Sequence, residues 1–192
     1  MLDPSNGYEA AAARYIASRS GIGGAEVRLW AQSLPPGASV LDLGCGHGVP
    51  VTEALLAAGC NVHALDASPS LVSALRERFP DVPVVCEAAD TSSFFDRRYD
   101  GVVAWGLLFL LTPAAQGRVF GNVSRALQPG GTFLFTAPSQ SCSWTDVLTG
   151  QLSTSLGAPA YQDLLASESL VVREEGDDEG GNHYYVAAKP SA

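Results

Sequence analysis

The residues best equipped for chemistry stand together in Val40-Leu41-Asp42-Leu43-Gly44-Cys45-Gly46-His47-Gly48. Glycines alternate with other residues directly after a short apolar run. Such a turn brings backbone close to a ligand at the carboxyl end of a strand. The spacing is GxGxG, whereas a dinucleotide turn needs its third glycine at position 49, where this chain has Val49. Without that glycine the next helix packs less closely and a pyrophosphate loses its nearest approach. Asp42 points the same way, because a carboxylate repels phosphate and attracts an ammonium group. The turn calls for a zwitterionic, nucleotide-like ligand.

Three histidines are available for proton transfer. His63 falls inside an apolar strand, and His47 sits within the glycine turn. His183, in Asp178-Glu179-Gly180-Gly181-Asn182-His183-Tyr184-Tyr185, is the candidate catalytic base, with Glu179 or Asp178 to orient it. Tyr15 and Arg19 lie four apart on one helix face, just before a glycine hinge. Trp144 stands in a polar stretch as a candidate pocket aromatic, and Phe109 and Tyr184 join it and Tyr15 as candidate substrate-pocket residues. The four cysteines form no CxxC pair and no histidine lies at ligand spacing, so no metal site is expected and the thiols read as free.

The elements that must position these residues follow from the hydrophobic pattern. Tyr8 to Ser18 and Ala25 to Leu34 predict two helices around a Gly-rich break. Strands are expected at 39–43, 61–65, 82–86, 100–105 and 132–137. Ser68-Pro69 and Thr112-Pro113 each pair an N-cap with a first-turn proline, and so start helices. Residues 139–158, rich in Ser, Thr and Gly, read as an insertion or lid. A helix at 159–166 and strands at 170–174 and 183–188 around an acidic turn complete the chain. The expectation is a doubly wound α/β fold. It has a mostly parallel seven-stranded sheet, helices on both faces and a C-terminal antiparallel hairpin. One domain over 1–192 is expected, with a helical cover (1–37), a core (38–138), the insertion (139–158) and a closing helix and hairpin (159–192).

With these landmarks in order from Ser39 to Pro138, the chain resembles the class I S-adenosylmethionine-dependent methyltransferases, in their small single-domain bacterial type. The resemblance implies that Asp42, Gly44, Cys45 and Gly46 hold the methionine part of the cofactor. It implies that Asp66, 18 residues after Gly48, takes both ribose hydroxyls beside Ala67. Two acceptor oxygens suit two vicinal hydroxyls. After the third strand the family's adenine-facing Asp falls on Ala88, so either Asp90 reaches back to the ring or backbone beside Ala89 reads it alone. Trp105 would line the cofactor pocket and Arg19 would pair with the cofactor's carboxylate.

Subtype motifs narrow the acceptor. The site of the nucleobase-amine motif is Ala104-Trp105-Gly106-Leu107, no Pro-Cys dipeptide exists, and the paired histidines of quinone-type members are replaced by Phe109 and Leu110. The implied reaction is in-line methyl transfer from S-adenosylmethionine to O or N of a small-molecule acceptor, leaving S-adenosylhomocysteine. The rivals are another nucleotide-dependent Rossmann enzyme, and a regulatory module that binds the cofactor without transfer.

Composition sets the outer bounds. The chain has 192 residues, 46% hydrophobic and 16% charged, enough to bury a core. Its net charge of −9, with no basic stretch, argues against a nucleic-acid partner. No apolar run nears the ~18 residues of a membrane span, and the first thirteen residues lack the basic and apolar regions of a signal peptide. A cytoplasmic monomer or weak homodimer, with no membrane partner, is the resulting expectation.

Overall fold

The computed structural model describes residues 3–191. Helices α1 (Tyr8–Ser18) and α2 (Gly24–Gln32) precede β1 (Ser39–Leu43), α3 (Val51–Ala57), β2 (Asn61–Asp66) and α4 (Pro69–Arg78). Then come β3 (Val84–Cys86), β4 (Tyr99–Ala104), α5 (Pro113–Ala126), β5 (Leu127–Thr136), β6 (Cys142–Thr145) and β7 (Leu152–Ser155). Helix α6 (Ala158–Ser167) and strands β8 (Val171–Asp177) and β9 (His183–Ala188) end the fold. Both cap-and-proline starts form as expected. Ser68 Oγ accepts from the Leu71 N–H at 3.2 Å, and Thr112 Oγ1 accepts from the Ala115 N–H at 3.3 Å. Among the described residues no helix is long and apolar enough to cross a membrane.

Seven strands form one sheet in the order β3-β2-β1-β4-β5-β9-β8. All pairings from β3 to β5 are parallel, and β9 runs antiparallel to both β5 and β8. The strand order therefore reverses beside β1, and a crevice opens at the carboxyl ends of β1 and β4. One face buries Val27 and Trp30 of α2, Leu55 of α3 and Leu75 of α4 against Val40, Val62 and Val103. The other buries α5 and α6 around the aromatic cluster Phe120, Phe133, Phe135, Tyr161 and Tyr185. Phe135 and Tyr185 are a cross-strand pair stacked at 4.8 Å.

Four expectations about elements are corrected. β3 begins at Val84 because Pro83 has no N–H to give; its carbonyl still accepts from Ala64. β5 starts at Leu127, ahead of the strand expected at 132–137, and runs through Pro129-Gly130-Gly131. The acidic run is mostly strand. β8 continues through Glu174 and Glu175 to Asp177, where charges on an outer edge strand face water and discourage edge pairing. The turn itself is closed by Asp178, whose Oδ1 accepts from the Gly180 and Asn182 N–H groups, both at 2.8 Å. Finally, the insertion is an ordered two-stranded hairpin, β6–β7.

Trp30 shows how the N-terminal cover is fixed. Its indole N–H donates to Thr132 Oγ1 at 3.0 Å, and its ring lies where a Cβ on Gly101 would fall, 2.8 Å away. Gly101→Ala should displace Trp30 and Leu34 and cost about 1–3 kcal/mol. Chemical denaturation measures this, and unchanged stability would contradict the packing described.

Candidate functional site

A cavity of about 450 Å³ occupies the crevice at the carboxyl ends of β1, β2 and β4. Its floor begins at the glycine turn. The Gly46 N–H donates to Asp66 Oδ2 at 2.9 Å, while Asp66 Oδ1 accepts from the Ser68 N–H at 2.9 Å. The turn after β1 and the end of β2 are thus tied by one carboxylate. Burial pushes the Asp66 pKa upward, against the pull of the Ser68 and Gly46 N–H groups. Gly46 itself has φ +55°, and a Cβ there would sit 2.9 Å from the Tyr15 ring. Only glycine lets that ring close on the turn.

The roof is α1. Glu9 receives Ser68 Oγ–H, the Ser70 N–H and Ser70 Oγ–H, so the helix is clamped onto the start of α4. At the other side of the cavity Tyr8 O–H donates to Asp146 Oδ2 at 3.1 Å, and Arg14 donates to the Leu148 carbonyl at 2.7 Å. These contacts join α1 to the β6–β7 hairpin. Burial, then the Asp146 charge, raises the Tyr8 pKa, so its proton stays on. Asp146 Oδ1 accepts from the Leu148 and Thr149 N–H groups at 2.9 and 2.8 Å, and so shapes the hairpin tip.

The wall contains Tyr15, Arg19, Gly44, Gly46, Asp66, Ala67, Ala89, Trp105 and Phe109, all named from sequence. Arg19 Nε–H donates to the Val49 carbonyl at 3.4 Å, with its guanidinium 5.8 Å from the centre of the Tyr15 ring. Trp105 is backed by Tyr184, ring centres 6.4 Å apart.

Other expected residues stand elsewhere. Asp42 lies behind the turn, fully buried, with its Oδ2 accepting from Thr52 Oγ1–H at 2.7 Å. The Cys45 side chain belongs to the core under α2 and α3. Asp90 turns outward onto Arg118 at 2.6 Å, so it does not reach back to the cavity; Glu87 and Ala88 line that end beside Ala89. Tyr184 is not on the cavity wall, and its O–H donates to Glu174 at 3.0 Å.

Trp144 and His183 line an adjoining chamber of about 290 Å³, which shares Phe109, Thr136 and Asn182 with the main cavity. The expected orienting acids of His183 are replaced by Asp177, whose carboxylate meets Nδ1 at 2.8 Å. Asp178 is spent on its own turn, and Glu179 accepts from the Gly23 N–H. His183 Nε2 is turned toward Glu175 at 3.9 Å, two residue pairs further from the sheet's carboxyl edge. The candidate base is therefore set back from the main cavity. Sequence reasoning missed Tyr8, Glu9, Asp146 and Asn182. Tyr8 and Asp146 meet across 138 positions, and no local pattern announces such a pair.

Comparison with known proteins adds three findings. Residues 40–131 match the family described as "Methyltransferase domain". An uncharacterized methyltransferase of Synechocystis sp. is 32% identical over 112 residues, 58% of this chain and 52% of that protein. The cypemycin N-terminal methyltransferase of Streptomyces sp. is 34% identical over 137 residues, 68% of this chain and 56% of the relative. The chain thus spans about half the length of the curated relatives it matches. Among solved structures, the Burkholderia thailandensis 1,6-didemethyltoxoflavin-N1-methyltransferase has 1,6-didemethyltoxoflavin and S-adenosylhomocysteine bound. It superposes with a TM-score of 0.73 at 21% identity, over 100% of this chain and 92% of that one, a likeness of fold.

Asp42 generates a pH prediction. Burial lifts its pKa from an ordinary 3.8 to about 7, only partly offset by Thr52. A carboxyl raised on folding contributes stability below its unfolded pKa and loses it as pH rises through the folded value. Asp42→Asn keeps an acceptor for Thr52 but carries no charge. Its thermal midpoint should overtake that of the wild type progressively between about pH 4 and pH 8. A constant difference across that range would contradict the assignment.

Proposed function

We propose that the chain is a class I, Rossmann-like S-adenosylmethionine-dependent methyltransferase that transfers the cofactor's methyl group to a nitrogen or oxygen of a small-molecule acceptor. The observation that carries this reading is the single cavity in which Asp66, the glycine turn and Arg19 face a lidded, aromatic-walled far end. The donor set suits the cofactor. Asp66 is fixed by two backbone donors and offers its carboxylate to vicinal hydroxyls. Gly44 and Gly46 present backbone where side chains would intrude, and Arg19 suits a carboxylate. Leu71, Ala67 and Ala89 offer an apolar bed for a purine.

When bound, S-adenosylmethionine supplies a methyl group already activated on a sulfonium. The protein's part is alignment and exclusion of water. Trp105 and Phe109 limit the space beside the reacting centre, and α1 with the β6–β7 tip covers it through Tyr8–Asp146 and Arg14–Leu148. The lid is a single helix and a short hairpin, a cover scaled to a small acceptor. Two of the similar proteins are named as an N-terminal and an N1-methyltransferase, which supports nitrogen as the atom methylated.

Calorimetric titration of wild type and Asp66→Ala with S-adenosylmethionine, S-adenosylhomocysteine and NADH tests the reading. Both sulfur nucleotides should bind the wild type, at least about tenfold more weakly in the variant. Hydrogen bonds to a charged group contribute roughly 1.5–3 kcal/mol each, and about 1.4 kcal/mol is tenfold in affinity. Binding of NADH alone, or equal affinity in both proteins, would overturn it.

A further inference from the structure

The far half of the cavity is selective in its hydrogen bonding. Among the described residues neither a lysine nor a histidine lines the cavity, and the one cationic side chain, Arg19, stands at the glycine-turn end. An anionic acceptor such as a carboxylate or phosphate would find no counter-charge there. Two of the side chains that face the far half are held in place by donating to neighbouring carboxylates. Tyr8 gives its O–H to Asp146, and Asn182 gives one of its two Nδ2–H to Asp178 Oδ2 at 2.8 Å. Thr136 Oγ1 accepts from the Gly106 N–H at 2.7 Å and keeps its own O–H, and among the described residues Asn6 Nδ2 has no partner, so neutral donors remain where no cation stands.

Accepting capacity remains. Asp146 Oδ1 serves the hairpin tip, but Oδ2 accepts only from Tyr8. A carboxylate oxygen can accept two hydrogen bonds. The side-chain carbonyl of Asn182 makes no hydrogen bond within the chain, since Asn182 is tied down through Nδ2 and its backbone N–H. A negatively charged acceptor and a neutral one, both with spare lone pairs, fit a group rich in N–H. Beside them opens the chamber of about 290 Å³, where Phe109 and Trp144 stand 5.3 Å apart. Those rings suit an apolar body and, at their faces, a cation.

Building on the methyltransferase reading, we propose that the acceptor is a small amine, held as its ammonium form by Asp146 and Asn182 with its apolar part against Phe109 and Trp144. Before transfer the ammonium loses one proton to solvent. The freed nitrogen lone pair forms the new N–CH₃ bond as the CH₃–S bond breaks, and that electron pair stays on sulfur as the neutral thioether. The nitrogen leaves as a methylated ammonium. No base in the protein is required, and among the described residues no histidine lines the cavity. An alcohol, by contrast, would need one.

The test uses two isosteric probes, benzylamine and benzyl alcohol, titrated into the full chain saturated with S-adenosylhomocysteine. The variant is Asp146→Asn, which keeps an oxygen for the Leu148 and Thr149 N–H groups and so preserves the hairpin tip. Benzylamine should bind the wild type more tightly than benzyl alcohol, and at least about tenfold more weakly in the variant, the loss expected for a charged hydrogen bond. Because the variant also loses the Tyr8 contact of the lid, the effect is read as a fall in the ratio of amine to alcohol affinity, which a general loosening of the lid would not change. Equal or tighter binding of the alcohol, no binding of the amine, or an amine affinity indifferent to Asp146→Asn would overturn the proposal. The comparison of the two probes on wild type stands even if the variant fails to fold. Failure of S-adenosylhomocysteine to bind wild type would be a different result: it would sink the methyltransferase reading itself, and this inference with it.

Discussion

One carboxylate holds the site together. Asp66 ends β2 and takes the Gly46 N–H on one oxygen and the Ser68 N–H on the other, both at 2.9 Å. The first bond sets the turn after β1, and the second sets the start of α4. Neither turn is optional for what sits above. Gly46, held at positive φ, leaves the space that Tyr15 fills, and the serines at the α4 start receive Glu9. The roof helix is thus placed by the same junction that forms the floor. Its remaining attachment, Tyr8 to Asp146, carries the constraint across to the β6–β7 hairpin. Burial of a charge at such a junction is costly unless its lone pairs are satisfied. Two backbone donors do so while leaving the carboxylate on the cavity wall, where a diol would complete its coordination.

The parts of this arrangement that sequence could convey are those with local signals. The alternation of short apolar strands with capped helices gave the parallel core, because caps such as Ser68-Pro69 and Thr112-Pro113 act within one turn of chain. Asp66 and the glycine turn were legible because each sits at a strand end whose position the alternation dictates. Edges and insertions were harder. Glu174 and Glu175 carry the composition of a solvated turn, yet an outer edge strand is equally solvated, and the ladder with β9 decided between them. In residues 139–158 the short β6 and β7 pair only with each other, and Trp144 gives the sole strong hint of burial.

Side-chain direction was the other hidden variable. Asp42 and Asp66 are both acids at strand ends, but one faces the core side of the turn and bonds Thr52, while the other faces the cavity. Asp90 is near the correct height but is drawn outward by Arg118. His183 is on the correct edge, yet Asp177 fixes its ring along β8, with Nε2 pointing down the sheet. Such choices depend on partners distant in the chain. For the same reason Tyr8, Glu9 and Asp146, which build the cover, carry no signature of their own. The outcome is a cavity whose ionised groups are mainly carboxylates, in a chain of net charge −9. That field favours a cationic sulfonium and a cationic acceptor, and disfavours anions.

The most direct measurement is a crystal structure of the chain grown with S-adenosylhomocysteine. The account predicts both ribose hydroxyls on the Asp66 carboxylate, the amino-acid end between the glycine turn and Arg19, and α1 closed over the nucleoside. A nucleoside bound away from Asp66, or one whose ribose is held by another residue while Asp66 keeps only its two backbone donors, would contradict it.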